Sequence, residues 1–330
     1  MEKFHCIVKC IFEGEIENDD KELFSKELKE CDLLFELFPY LLHHRLLGIF
    51  YSLILKYDMI YCISKEMWKA TNKILVYENL KSREYYMEAK HLCDLLERED
   101  ISYAIIKGLH LNSFLYDKNS EYFFQRSFND IDILVNRKDI TNLDKILKGM
   151  NYFNGDYEPE SNSLRCFSRK EAVYYLMATH QTPQYIKASK FSCFNVGDIM
   201  IIDVNYSIFE GGKKLDPINT NELLANRIKR EGPLGLFYYS LGLEYEIIQL
   251  IYHFYKDNMV YQIKKENNED LILCNLVDIY RLIKKKKKQI NSDKLNYIIR
   301  KANLDREIKH VSKLLKHWGN LSLIDTYFSL

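Results

Sequence analysis

The sequence predicts an α+β fold, with a mixed β-sheet core and helices, flanked by N- and C-terminal helical regions. Three observations predict it. First, only 12 Gly and 5 Pro in 330 residues leave long stretches free of element breakers. Second, apolar residues recur at three- and four-residue spacing toward both ends, the mark of helices buried on one face. Third, the period changes near the middle to short apolar, β-branched runs, the mark of strands. A chain of this length exceeds one typical domain. Its expected regions are 1–81 as an N-terminal helical region, 82–215 as an α/β core and 216–330 as a C-terminal helical domain.

The totals exclude some classes. Formal net charge is zero, so no overall field favours nucleic acid or an acidic membrane. The eight Cys lack paired metal-type spacing and read as reduced thiols. Cys6 and Cys10 lie four apart with no second pair to complete a zinc set. Met1 to His5 carries no signal-peptide pattern. The most apolar run, Leu46 to Leu55, falls short of the about 20 helical residues that span a bilayer. A cytoplasmic protein is expected, without a membrane partner.

In order, Glu22–Leu28 and Leu33–Tyr57 show helical spacing, with Pro39 starting or breaking a helix. His43 and His44 are neighbours, so on a helix they point about 100° apart and read as core or surface histidines rather than a ligand pair. A long helix is expected from Lys65 to Arg98, then a buried strand at Ile101–Ile106. Lys107-Gly108 leads into a helix at Leu109–Tyr116, and a polar break spans Asp117–Glu121. After a strand region at Arg126–Val135, Lys138–Met150 is helical. Strands are expected at Leu164–Ser168, Ala172–Thr179 and Ile199–Tyr206, with Gly211-Gly212 and Pro217 as a boundary. Helices follow at Tyr245–Tyr255, Leu271–Ile283, Asp293–Ala302 and Asp305–His317.

The chemistry centres on Asp130-Ile131-Asp132. Alternation along a strand points both carboxylates the same way. Two like charges side by side cost stability unless a cation lies between them. Asp203, interrupting the apolar run Ile199–Val204, is the candidate third carboxylate. Three carboxylates suit two-metal phosphoryl transfer, with Mg²⁺ as the expected cation and Mn²⁺ as its substitute. On the phosphate side stand Lys107, Gly108, Arg126, Ser113 and His180. Gly108 permits close backbone approach, and the helix after it offers unpaired N–H groups. Lys107 and Arg126 each read as a phosphate contact or a structural ion pair. Ser113 within a helix also suits bonding to its own backbone, and His180 reads as structural or phosphate-contacting. Lys284–Lys288 reads as a solvated helix end or an RNA contact.

Ile105-Ile106-Lys107-Gly108, then Arg126, then Asp130-Ile131-Asp132-Ile133-Leu134-Val135, resembles the nucleotidyltransferases of the DNA polymerase β-like superfamily. More narrowly it is similar to an uncharacterised nucleotidyltransferase family with the pattern LKG…R…DiDlLV. His180, Ile202–Tyr206 and Asp278–Leu282 resemble that family's later segments. Two departures stand out: Leu109 where the superfamily's phosphate-binding serine follows glycine, and Asn205-Tyr206 where the family has His-Trp. The resemblance implies a nucleotidyltransferase-type fold. It implies transfer of a nucleoside monophosphate from an NTP, ATP among them, to an acceptor left open between small molecule, peptide and tRNA. Asp130, Asp132 and Asp203 would act as catalytic and metal-binding residues. The alternatives are a non-catalytic nucleotide-binding protein that recruits a partner, and a toxin-type transferase acting on tRNA or protein. No motif fixes the oligomeric state.

Overall fold

The structure is a computed structural model that describes residues 4–30, 33–116, 125–158, 160–161, 163–190, 199–209, 217–260 and 271–318. The expected polar break at 117–121 falls outside them, as does the Gly211-Gly212 turn. The helices and strands, in chain order, begin with α1 (His5–Glu13), α2 (Asn18–Glu30), α3 (Phe38–His43), α4 (Leu47–Lys56) and α5 (Lys65–Arg98). There follow β1 (Tyr103–Ile106), α6 (Lys107–Leu115), β2 (Ile131–Val135), α7 (Ile140–Gly149), β3 (Phe153–Glu158) and β4 (Ser163–Cys166). Next are α8 (Arg169–Ala178), β5 (Tyr185–Ala188), β6 (Ile199–Asn205), α9 (Thr220–Ala225), β7 (Ile228–Glu231) and β8 (Phe237–Ser240). The C-terminal part holds α10 (Leu243–Tyr255), α11 (Leu273–Lys286), α12 (Ser292–Ala302) and α13 (Asp305–Trp318).

These elements group into two packed units. The first draws on Met1–Leu80, Leu115–Ser127 and Leu250–Leu330, and the second on Lys81–Phe114 and Phe128–Gln249. The first unit is helical. Its helices bury one apolar face each, for example Ile7, Ile11, Leu276, Ile279, Ile308 and Val311.

The second unit carries both sheets. Six strands form a mixed sheet in the order β1-β2-β6-β5-β3-β4, and β7 and β8 form a separate hairpin. Within the large sheet β2 and β6 run parallel, and the other pairings are antiparallel. All five residues of β2 are buried. An apolar run interrupted by one carboxylate therefore sits at depth in the sheet, which sets up the site. The α+β class and the mixed sheet agree with the expectation from sequence.

One expected strand is corrected. Residues Arg169–Ala178 form a helix, where Ala172–Thr179 read as a strand. Ser168 caps it. The Ser168 hydroxyl accepts from the Glu171 N–H at 3.3 Å, while the Glu171 carboxylate accepts from the Ser168 N–H at 2.7 Å. This reciprocal pair satisfies two donors that a helix start leaves open, and it outweighs the local strand preference of Val173 and the tyrosines. The β7–β8 hairpin falls in a region expected to be helical; a turn with Gly232, Pro233 and Gly235 separates its strands.

Candidate active site

Strand register assembles the site. Ile106, the last residue of β1, pairs with Asp132 in β2, and Asp132 pairs with Asp203 in β6. Directly paired residues of neighbouring strands point to the same face, so the two carboxylates stand side by side. Asp130 precedes β2 by one residue, half-buried, and its charge acts on both Lys107 and Asp203. The three carboxylates named from the sequence are brought together.

Lys107 sits where β1 turns into α6, next to Asp132. Its Nζ lies 2.7 Å from Asp132 Oδ1, with the two side chains 16% and 3% exposed. The turn is made at Lys107 itself, whose φ of 54° is left-handed, and not at Gly108. A non-glycine residue there costs on the order of 1 kcal/mol. Such strain persists where the surroundings hold it, and the Asp132 ion pair is one such restraint.

The electrostatics show the site's loading. Burial alone would lower the Lys107 ammonium, but Asp132, its hydrogen bond, and the charges of Asp130 and Asp203 lift it to about 12. Asp203 is pushed up to about 8, first by burial and then by Asp132 and Asp130, with Lys107 opposing. Its side chain keeps some contact with solvent although protein surrounds most of it. One lysine does not offset three carboxylates. Asn205 adds an amide: its Nδ2 lies 3.4 Å from Asp132 Oδ1 and 3.3 Å from the Asp203 carbonyl.

A residue that the sequence marks for packing on the long helix, and not for the site, holds the approach to β2. The Tyr85 hydroxyl on α5 donates to the Asn129 carbonyl and accepts from the Ile201 N–H at 3.3 Å. Lys81 Nζ donates to Asn129 Oδ1 at 2.8 Å, and Phe128 packs edge-on against Tyr85 and Tyr86. The segment before Asp130 is thereby pinned to α5 and to the start of β6. Helical spacing marks Tyr85 as one of several packing positions on the long helix, and nothing in that spacing tells that its hydroxyl meets the Asn129 carbonyl.

The remaining residues named from the sequence have other partners or surroundings. Ser113 belongs to a buried chain: its hydroxyl is 2.6 Å from the Tyr238 hydroxyl and 3.0 Å from the His110 carbonyl. Tyr238 is 2.9 Å from His110 Nδ1, and His110 Nε2 is 2.7 Å from Glu246 Oε1. This chain ties α6 to β8 and α10. Arg126 lies in the first unit, where its Nε donates to Asp278 Oδ2 at 2.9 Å while Asp278 Oδ1 accepts from Tyr116 at 2.7 Å. His180 is buried in the turn before β5 and lines a cavity described below.

The donor set fits a hard divalent cation in chemistry, since carboxylate oxygens are what Mg²⁺ takes. Among the described residues no three His, Cys, Asp or Glu side chains already stand at ligand spacing, and Lys107 holds one oxygen of Asp132.

The family model described as "Uncharacterised nucleotidyltransferase" matches residues 36–320. The chain belongs to this uncharacterised nucleotidyltransferase family. The match spans both the sheet with its carboxylates and the α11 segment that carries Asp278. No curated protein matches the chain. Among solved structures, an antigenic nucleotidyltransferase-like protein from Paracoccidioides brasiliensis is similar at 15% identity over 66% of this chain and 93% of that one, with a TM-score of 0.32. That likeness is too distant to transfer any residue role. For this nucleotidyltransferase family member, residue roles rest on the geometry above. Among the described residues, no helix is long and apolar enough to cross a membrane.

Proposed function

We propose that this protein is a Mg²⁺-dependent nucleotidyltransferase that moves a nucleoside monophosphate from an NTP to an acceptor hydroxyl. The observation that carries the reading is the pairing of Asp132 with Asp203 on adjacent parallel strands, with Asp130 one step before and Lys107 against them. Asp130, Asp132 and Asp203 would hold the cation. When bound, Mg²⁺ or Mn²⁺ supplies charge neutralisation for the triphosphate and acidifies the acceptor hydroxyl.

The chain's own groups do the rest. Asp203 orients the acceptor hydroxyl or takes its proton as the oxygen bonds to the α-phosphorus and pyrophosphate departs. Lys107 exchanges its carboxylate partner for a phosphate oxygen, a fully charged donor held beside the reacting group. The N-terminal turn of α6, beginning at Lys107-Gly108, presents backbone N–H groups to the same phosphates. Tyr85 and Asn205 keep Asp130 and Asp132 aimed. His180 stands further along the sheet, on the acceptor side.

The test is to follow the α-phosphate label of each NTP with Mg²⁺, alone and with cell extract. Label should move to an acceptor with wild-type protein and stay at background with Asp132→Asn. Equal pyrophosphate release by wild type and the Asp130→Asn/Asp132→Asn variant would overturn the reading.

The Lys107–Asp132 ion pair also favours a second reading, a non-catalytic nucleotide-binding protein, because the lysine already neutralises a metal ligand. It predicts NTP binding without label transfer to any acceptor. The toxin-type reading draws on Lys284–Lys288, of which Lys284 pairs with Glu13 and Glu15 and Lys285 donates to the Leu115 carbonyl. Those contacts favour a solvated helix end over an RNA contact.

A further inference from the structure

The second unit holds a cavity of about 420 Å³ where β2 and β6 end. Asn136 and Arg137, just past β2, form one wall, and Tyr206 and Ser207, just past β6, form another. His180 and Thr220 complete the lining from two further segments.

The chemistry of the lining has one sign. Arg137, Lys138 and His180 contribute a guanidinium, an ammonium and an imidazole, and no carboxylate lines the cavity among the described residues. Amides and hydroxyls fill most of the remainder, as donors that suit oxygen acceptors. A recess that mixes basic, polar and aromatic side chains, Phe209 among them, and whose charged groups are all basic, contrasts with the acidic cluster further back on the same strands. A cavity of this size suits a small molecule, and its charge suits one that carries an oxyanion.

The walls are braced rather than loosely apposed. The Tyr206 N–H donates to the His180 carbonyl at 3.0 Å, and the Tyr206 carbonyl accepts from the Thr220 hydroxyl at 2.6 Å. The Thr182 N–H donates to the Val204 carbonyl at 2.9 Å. Arg137 lies over the Tyr206 ring at 4.5 Å, which fixes the plane of its guanidinium at the cavity wall.

Placement gives the cavity its meaning. Asn136 is four residues beyond Asp132, and Ser207 is four beyond Asp203. At ~3.3 Å per extended residue, those steps span ~13 Å.

We propose that this cavity binds an oxyanion, phosphate or carboxylate, of the acceptor, on the order of 10 Å from the hydroxyl that receives the nucleotide. Its role as an acceptor site rests on the nucleotidyltransferase reading; its capacity to bind an oxyanion does not. The acceptor class is then a small molecule that bears an acidic group at one end and a hydroxyl at the other.

The test uses the full chain without NTP or divalent cation. Thermal unfolding is measured in inorganic phosphate, in acetate and in chloride at one ionic strength. Wild type should be stabilised by phosphate or by acetate beyond chloride, and which one acts assigns the oxyanion. The Arg137→Ala/Lys138→Ala variant should bind that anion at least tenfold more weakly. Both residues are exposed, so the fold is retained, and the Lys287→Ala/Lys288→Ala variant removes the same charge as a control and should respond like wild type. Equal response of all three proteins, or no oxyanion effect in wild type, overturns the proposal. A negative transfer assay alongside a positive anion result would instead count against the function and leave the site standing.

Discussion

Arg126 and Asp278 are 152 residues apart and meet in a buried ion pair at 2.9 Å, with side chains 8% and 1% exposed. Burial would lower the Arg126 pKa, but Asp278 holds it well above its ordinary range. The arrangement fixes what Arg126→Ala should do. Asp278 would keep one bond from Tyr116 and lose its charged partner, and breaking a buried pair from one side costs about 3–5 kcal/mol. Chemical denaturation should show a loss of that size. An unchanged midpoint, with weakened NTP binding instead, would return Arg126 to the phosphates. Residue-level chemistry also sets a pH response in the same unit. Burial, aided by His43, lowers His44 from the usual 6.5 to about 4. Above pH 6.5 neither the folded nor the unfolded chain protonates this residue. Between 6.5 and 4 the unfolded chain takes up a proton that the folded one refuses, so stability falls as pH drops through that window and levels off below it. The ring packs edge-on against Tyr40 at 4.5 Å, a contact that His44→Phe retains. Denaturation midpoints at pH 7, 5.5 and 4.5 should fall less steeply in that variant.

At the scale of elements, helix ends decide several local outcomes. Helix α1 stops at Gly14, whose φ is 76° and whose N–H returns to the Cys10 carbonyl at 2.9 Å. Arg281 from α11 reaches the same end, donating to the Ile11 carbonyl at 2.6 Å. A Cβ on residue 14 would meet Arg281 Nη2 at 3.0 Å. Gly14→Ala therefore meets a backbone penalty and a crowded guanidinium, and should lower unfolding stability by about 1 kcal/mol or more. In an Arg281→Ala background the same change should cost less, which a double-mutant cycle reads directly. Elements also show what the sequence reveals. Helix α5 was legible to its ends because 34 residues of periodic apolar spacing outvote any single residue. Helix α8 was misread because ten residues carry little periodicity, so the Ser168–Glu171 cap decided it. The carboxylates were legible because a charge inside an apolar strand stands out, and strand alternation then fixes its face. The contacts of Tyr85 and Asn205 and the assembly of the cavity were not, although His180, Asn205 and Tyr206 stand out in the sequence, since nothing local in a tyrosine or asparagine tells which distant backbone it will meet.

For the whole molecule, the proposed chemistry lies within one of the two packed units. The carboxylates, Lys107, Tyr85 and the cavity all belong to the unit that carries the sheets, whereas Arg126, His44 and Gly14 belong to the helical one. A ligand that binds only the folded state stabilises by RT ln(1 + [L]/Kd), about 2.7 kcal/mol at a hundredfold excess over Kd. A cation held by Asp130, Asp132 and Asp203 should therefore confer extra protection first on β1, β2 and β6, because those strands carry or flank its ligands. Hydrogen exchange with and without saturating Mg²⁺ and NTP checks this. Slower exchange is expected in β1, β2, β6 and the start of α6, with α11, α12 and α13 responding less. In Asp203→Asn the gain should be lost, because two carboxylates with Lys107 against one of them give a weaker oxygen donor set. Equal slowing throughout both units would argue for global stabilisation from another site. Equal protection of wild type and Asp203→Asn would remove Asp203 from the metal.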